Sequence, residues 1–489
     1  MSGRAATETV IPGRAALSVG CPDLPAPRGW IWTSLYDLSV LGTGHTPSRS
    51  ESTYWNGEIP WIGIRDASKH HGSTISDTSQ HVTPEGLANS AARLLPAGTV
   101  CLSRTASVGY VVQMARDMAT SQDFVTWTCN EGLDPRFLMY ALLAEGDDIR
   151  RFGKGSTHTT IYFPEVKAFH ICLPPIKEQR RIVVKLDSLF ERTRRAREEL
   201  SQIPRLIEQY KKAILEAAFR GDLTEDWRRQ NLGSTLSRPT SELPSDWTLC
   251  KLQDISDIQS GLALGKKRKE GEALTVVPYL RVANVQRGHL NLKEVKKVFA
   301  TESEIKRLLL KKGDVLMNEG GDRDKLGRGW IWGEEVSPCI HQNHVFRVRL
   351  KIAGFPPKFL SYYANEFGQD YFFSEGKQTT NLASISKSKL SSLPVPIPSA
   401  QEAEEIVKKI EKALTWLGIV ERKCQQAIHH LDHLDQANLA KAFRGELVPQ
   451  DPNDEPASVL LERIRAARAE QPKPTRKRRG TSTKAGAAA

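Results

Sequence analysis

The sequence predicts an α+β chain written twice. Two similar globular domains are each followed by a long helix, and the two helices pair as an antiparallel coiled coil in a pseudo-two-fold tandem repeat. Three observations carry this. The stretch KAILEAAFRGDL (212–223) returns as NLAKAFRGEL (438–447). Apolar residues recur at strict 4-3 spacing ahead of each copy. The sequence before each helix also matches its counterpart in order, with drifting offsets that mark loop insertions.

Composition sets the frame for these elements. With 489 residues, 39% hydrophobic and 26% charged, the chain exceeds one ordinary core and reads as a globular protein of two or three domains. It has no run of about 18 apolar residues to cross a membrane, and its N-terminus lacks the apolar segment of a secretory signal. The seven cysteines lie far apart without a CxxC pair. That argues against a zinc ribbon or a disulfide framework and fits a reducing cytoplasm, the expected location. The net charge of +12 suits an acidic partner, most commonly nucleic acid. Part of that charge sits in PKPTRKRRGTSTKAG near the C-terminus, whose composition cannot build a core.

In chain order, residues 1–24 are expected to be an N-terminal arm and 25–175 the first globular domain. The first helical segment follows at 176–223, then a linker at 224–242. Residues 243–398 form the second domain, 399–447 the second helical segment, and 448–489 a basic, disordered tail. Within the domains, PRGWIWTSLYDL (27–38) matches PSDWTLCKLQDI (244–255), and IPWIGIRDA (59–67) matches VPYLRVANV (277–285). LPAGTVCLSRTASVG (95–109) parallels LKKGDVLMNEGGDRDKLG (310–327), and GKGSTHTTI (153–161) parallels EGKQTTNLASI (375–385). Short runs such as GTVCLS, FVTWTC and HVFRVRL predict strand-rich domains.

The helices show the strongest periodicity. The first seam runs through Ile182, Leu186, Leu189, Leu200, Ile203, Ile207, Tyr210 and Ile214. The second runs through Ile406, Ile410, Leu417, Val420, Cys424, Leu431 and Leu434. Ile182 and Ile406 are separated by the same offset as Phe219 and Phe443, so both seams keep one register. About five heptads of this kind predict a coiled-coil seam of about 54 Å, roughly one and a half duplex turns. Pro204 is expected to kink or restart the first helix near Ser201. Gly221 and Gly445 are expected to end the two helices as C-caps.

Together LPPIKEQRRI and VPIPSAQEAEEIV before the helices, AFRGDL and AFRGEL at their ends, GGDRDKLGRG and GKQTTNLASIS carry a family resemblance. Over about residues 25–447 the chain resembles the specificity subunit of a type I DNA restriction–modification system. Two features depart from the pattern: GSTHTTIYF and SRTASVG are looser than their second-half counterparts, and QEAEEI lacks the basic pair of KEQRRI. The resemblance implies two target-recognition domains, each reading one half of a bipartite site in double-stranded DNA. It implies that the paired helices set the gap and dock two modification (methyltransferase) subunits. S-adenosylmethionine, ATP and Mg would then belong to partner subunits, the restriction (translocase/endonuclease) subunits included, and this chain would need no cofactor.

The chain carries no catalytic motif of its own. There is no Asn-Pro-Pro-Tyr methyltransferase site. SGLALGKKRK (260–269) is one residue short of a phosphate loop and lacks its Ser/Thr. HHLDH (429–433) spaces two histidines for a metal but offers no further ligand. GGDRDK lacks the acid-x-Lys spacing of a nuclease.

Base reading calls for Arg, Lys, Asn or Gln at groove edges, with Ser and Thr on phosphates. In the first domain the candidates are Arg65, then Arg104, Thr105 and Ser107 in the glycine-ended loop, then Lys154, Ser156, His158 and Thr159. In the second they are Arg281 and Asn284, then Arg323, Lys325 and Arg328, then Lys377, Gln378, Thr379 and Asn381. A non-catalytic coiled-coil scaffold with two protein-binding heads is the competing reading. Salt-sensitive duplex affinity separates the two.

Overall fold

Both long helices form as their spacing predicts. The first runs Ile176–Phe219 and the second Ala400–Phe443, each 44 residues, or about 66 Å. The computed structural model describes residues 10–105, 107–155, 159–233, 243–265, 272–321, 327–368, 371–372, 377–378 and 383–470. These fall into two compact units, Met1–Glu199 with Ala427–Ala489 and Leu200–Gln426. Each unit therefore holds one domain, the first part of its own helix, and the last part of the other helix.

In the first unit a five-stranded sheet has the order Ser39–Thr43, Phe124–Cys129, Val100–Ser103, Val111–Met114, Ser73–Ile75. Its three central strands bury side chains on both faces. Val125, Trp127, Val100 and Leu102 enter one core, while Phe124, Cys101, Val112 and Met114 enter another. A second sheet pairs Phe169–Leu173 with both Leu17–Val19 and Ile31–Ser34. Residues 11–19 thus belong to the domain and are not a free arm. Fully buried Glu145 holds that segment, its carboxylate accepting the amides of Arg14, Ala15 (3.2 Å), Ala16 (2.8 Å) and Leu17 (2.9 Å).

The second unit repeats the plan. Its four-stranded sheet has the order Ser256–Ser260, Val345–Leu350, Val315–Asn318, Gly329–Ile331. Val315, Met317, Phe346 and Val348 face one core, and Leu316 and Val345 the other. Thr248–Lys251 pairs with Pro394–Ile397, just ahead of the second helix.

The helices pair antiparallel. In the first unit the Thr193 hydroxyl donates to Asp435 at 2.9 Å, and Arg197 donates to Asp432 (2.8 Å) and Asp435 (2.7 Å). In the second unit Ala218 and Phe219 share a core with Ala403 and Ile406. Of the predicted seam, Ile182, Leu186, Ile207, Ile406, Ile410, Leu417 and Cys424 are buried. Leu189, Leu200, Ile203, Ile214, Val420 and Leu431 are half-buried. Two seam positions turn outward: Tyr210 is 60% and Leu434 47% exposed. Lys211 and Asp435, the next residues along, are half-buried instead, followed on the second helix by Leu439 and Ala442. Each helix thus leaves the 3.5-residue register for about 3.67 toward its end, where a straighter helix carries the buried stripe one position forward. The helix is continuous through Pro204, so it does not restart near Ser201.

Both helix ends are built alike. Gly221 (φ 82°) and Gly445 (φ 72°) take the left-handed conformation that ends a helix. A Cβ at either would crowd a proline, Pro244 or Pro27 respectively. The phenylalanine just inside each cap is buried against the helix of the opposite domain. Phe219 packs on Phe359 at 5.1 Å and Tyr363 at 5.2 Å, and Phe443 packs on Phe137 at 5.2 Å. Burying such a ring contributes about 2–3 kcal/mol by area alone. The helix starts match too. Trp30 Nε1 donates to Glu178 at 3.1 Å and Trp247 Nε1 to Glu402 at 2.9 Å. In the second unit Glu402 also pairs with buried Arg228 on a short helix, Glu225–Leu232, inside the expected linker.

The tail is partly ordered, contrary to expectation. Ala457–Glu470 is a helix whose Ala457, Leu460, Leu461 and Ile464 are buried, and Asp454 ahead of it pairs with Arg181 at 2.6 Å. The basic run beyond it lies outside the described residues.

Candidate nucleic-acid interface

In the first domain Arg65 shares a cleft with Asp123, the carboxylate that holds Thr105. Strand Trp55–Ile62 ends at Gly63, where helix Ile64–Lys69 begins, and this places Arg65 exposed at the first turn. Asp66 is turned inward, accepting the Gly63 (3.3 Å) and Ser79 (2.9 Å) amides. Across a cleft of about 630 Å3, Asp123 accepts hydroxyl hydrogens from Thr105 (2.7 Å) and Ser121 (3.0 Å). Arg104 lies over the Phe163 ring at 5.0 Å and donates to the Gln122 carbonyl at 3.2 Å. Burial lowers its pKa while the Asp123 charge opposes the shift.

The structure thus brings Arg65, Arg104 and Thr105 to one region. Ser107 closes the turn: its carbonyl accepts the Ser103 hydroxyl and its amide donates to Thr105. Lys154 is paired with Glu165 at 2.9 Å and bridged through its backbone to Thr160, next to Thr159, and the neighbouring Ile161 amide donates to the Arg104 carbonyl at 2.9 Å. Ser156 and His158 lie outside the described residues.

The cleft is also lined by Arg49, Trp61 and Gln80, none of them a candidate from the sequence. A neighbouring cavity of about 320 Å3 adds Ser52, Trp55, Asn56 and His81. Their one sequence signal was Asn56-Gly57, a turn dipeptide inside a strand-like run. In the structure it marks a bulge between Trp55 and Ile59, with Asn56 at φ 62°.

In the second domain Asn284 is enclosed at 2% exposure. Its amide donates to the Asn291 (2.8 Å) and Glu294 (2.9 Å) carbonyls, and its oxygen accepts the Arg281 amide (2.8 Å). It builds its loop and does not face a ligand, which corrects the expectation for it. Arg281 is half-buried, 3.5 Å from Glu294. The Arg328 carbonyl accepts the Asn318 amide at 3.0 Å, and its side chain is half-buried. Lys377–Gln378 is a strand paired with Ala383–Ser384. Arg323, Lys325, Thr379 and Asn381 lie outside the described residues, as do 266–269 of the SGLALGKKRK stretch.

Among the described residues no group of three or more metal-ligating side chains occurs. His429 and His433 are exposed, with Nε2 atoms 2.9 Å apart and rings edge-to-face at 4.3 Å. No described helix is long and apolar enough to cross a membrane.

A family profile described as Type I restriction modification DNA specificity domain matches residues 27–205 and 244–428. The chain is 23% identical over 460 residues to the Type I restriction enzyme EcoKI specificity subunit of Escherichia coli K12, covering 91% of this chain and 96% of that protein. It is also 23% identical to the StySPI specificity subunit of Salmonella potsdam, with the same two coverages. The fold matches the crystal structure of the HsdS subunit from Thermoanaerobacter tengcongensis with a TM-score of 0.57 at 19% identity, over 87% of this chain and 99% of that one.

Proposed function

Since the chain belongs to the type I restriction modification DNA specificity family, we propose that it is the address-reading subunit of such a complex. It works on duplex DNA together with modification and restriction subunits and performs no chemistry itself. Each domain reads one half of a bipartite site. The paired helices set the gap between the halves and dock two modification subunits. S-adenosylmethionine would be held by those subunits, and ATP and Mg by the restriction subunits, in the cytoplasm.

The observation that carries this reading is the duplicated plan. Two family domains each lead into a 44-residue helix through the same Trp–Glu hydrogen bond. A repeat of that kind suits a split target read by two non-identical loops.

The test is to co-express the chain with its candidate modification subunit and sequence the host DNA for methylated adenine. Every modified adenine is expected in one split motif, and exchanging residues 25–175 for another such domain should change one half only. Co-purification without duplex affinity at low salt would reject the reading in favour of the scaffold.

A further inference from the structure

We infer that the base-reading centre of the first domain is the bulged strand carrying Asn56, with Arg49 and Gln80 beside it, and that Arg49 takes a guanine edge in the major groove. This rests on the proposed function above.

Arg49 is exposed, yet it is held. Its guanidinium lies over the Trp55 ring at 5.0 Å and the Trp61 ring at 5.7 Å. Its Nη2 lies 3.4 Å from the Gln80 side-chain oxygen. The two indoles stand edge-to-face at 84°, and contact with both restrains an exposed guanidinium whose planar fork suits a base edge. The two carboxylates that line the cleft are engaged elsewhere, Asp66 by backbone amides and Asp123 by hydroxyls. The beta-bulge turns Asn56 out of the regular strand alternation, and bulges recur where a side chain must be re-aimed. Asn56 holds a positive φ of 62°, which is sparsely populated for a side-chain-bearing residue.

The chemistry of the cluster points to bases. Arginine matches guanine O6 and N7, and asparagine or glutamine matches adenine N6 and N7. A backbone-phosphate contact needs positive charge, which lysine also supplies, whereas lysine lacks the planar fork that matches a guanine edge. That difference gives the test.

Full chains carrying Arg49→Lys or Asn56→Gly are assembled with the modification subunit, and their methylation motifs are compared with that of the unaltered complex. Glycine at 56 keeps the left-handed backbone and removes only the amide. Arg49→Lys is expected to relax one position of one half-site by at least about 10-fold, with the other half unchanged, and Asn56→Gly a different position of the same half. If Arg49→Lys keeps the original motif, lysine has replaced the arginine at a phosphate and the inference falls. If that variant does not assemble, an unchanged motif in Asn56→Gly overturns the inference by itself. Absence of any split motif in the unaltered complex would instead bring down the function reading.

Discussion

The Cys424 thiol donates to the Leu200 carbonyl across 3.4 Å. Leu200 is the acceptor that Pro204, four residues on and lacking an N–H, leaves without its helical partner. The cysteine of one helix thus satisfies the gap that proline opens in the other, and the first helix continues through position 204.

Removing the thiol should therefore cost more than its volume. Cys424→Ala is expected to destabilise the second unit by about 1–2 kcal/mol, since it leaves a carbonyl short of its donor as well as a small void. In a Pro204→Ala background, residue 204 regains its N–H and the penalty should shrink by about 0.5–1 kcal/mol. Denaturant unfolding of the four chains measures this coupling, and strictly additive effects would show that the thiol serves only as packing.

Phe443→Ala and Phe219→Ala should each cost about 3–5 kcal/mol, but in opposite places. Phe443 packs on Phe137 and Phe219 on Phe359. Hydrogen exchange should accordingly rise in helix Pro135–Glu145 for the first variant and in Pro357–Glu366 for the second. Loss of protection in the domain that precedes the mutated helix would contradict this pairing.

His341 makes the second unit acid-sensitive. Its Nδ1–H donates to the Val345 carbonyl at 2.7 Å, while Nε2 is buried without a partner. Burial pulls its pKa down to about 4, helped by the Arg347 charge and opposed by the Val345 bond and Asp314. The unfolded value is about 6.5. A depressed histidine pKa means that the unfolded chain binds the proton more readily. Stability is then complete above pH 6.5 and is lost as pH falls toward 4. Between pH 7.5 and 5 the loss is about 2 kcal/mol. His341→Leu should remove that share of the pH dependence in denaturant unfolding of the second unit, and an unchanged pH slope would refute the assignment.

Much of this architecture is legible in the residues, and the gaps have physical causes. Ile182, Leu186, Ile406 and Ile410 announce the seam because a buried stripe on a helix must be periodic. Tyr210 and Leu434 mislead because a strict heptad does not hold to the end of a helix that returns to its natural turn. Glu145 gave no sign of its four-amide grip on Arg14–Leu17, because the partners are remote in sequence. The same holds for the cleft. Arg65 and Arg104 were visible through the repeat, whereas Arg49, Asn56 and Gln80 meet only after the strand bulges. Asn284 has the right chemistry for a base, but its own loop uses it.

The placement of Phe137 against Phe443 bears on how such a gene can diversify. A recombination event that imports a foreign first domain brings a new Phe137 surface to an old Phe443. Crossovers would be tolerated where the incoming domain keeps an aromatic socket of matching depth, however different its DNA-facing loops. Inheritance would then be strict at this socket and permissive across the rest of the domain surface, so that new addresses could arise by exchange without rebuilding the core that receives them.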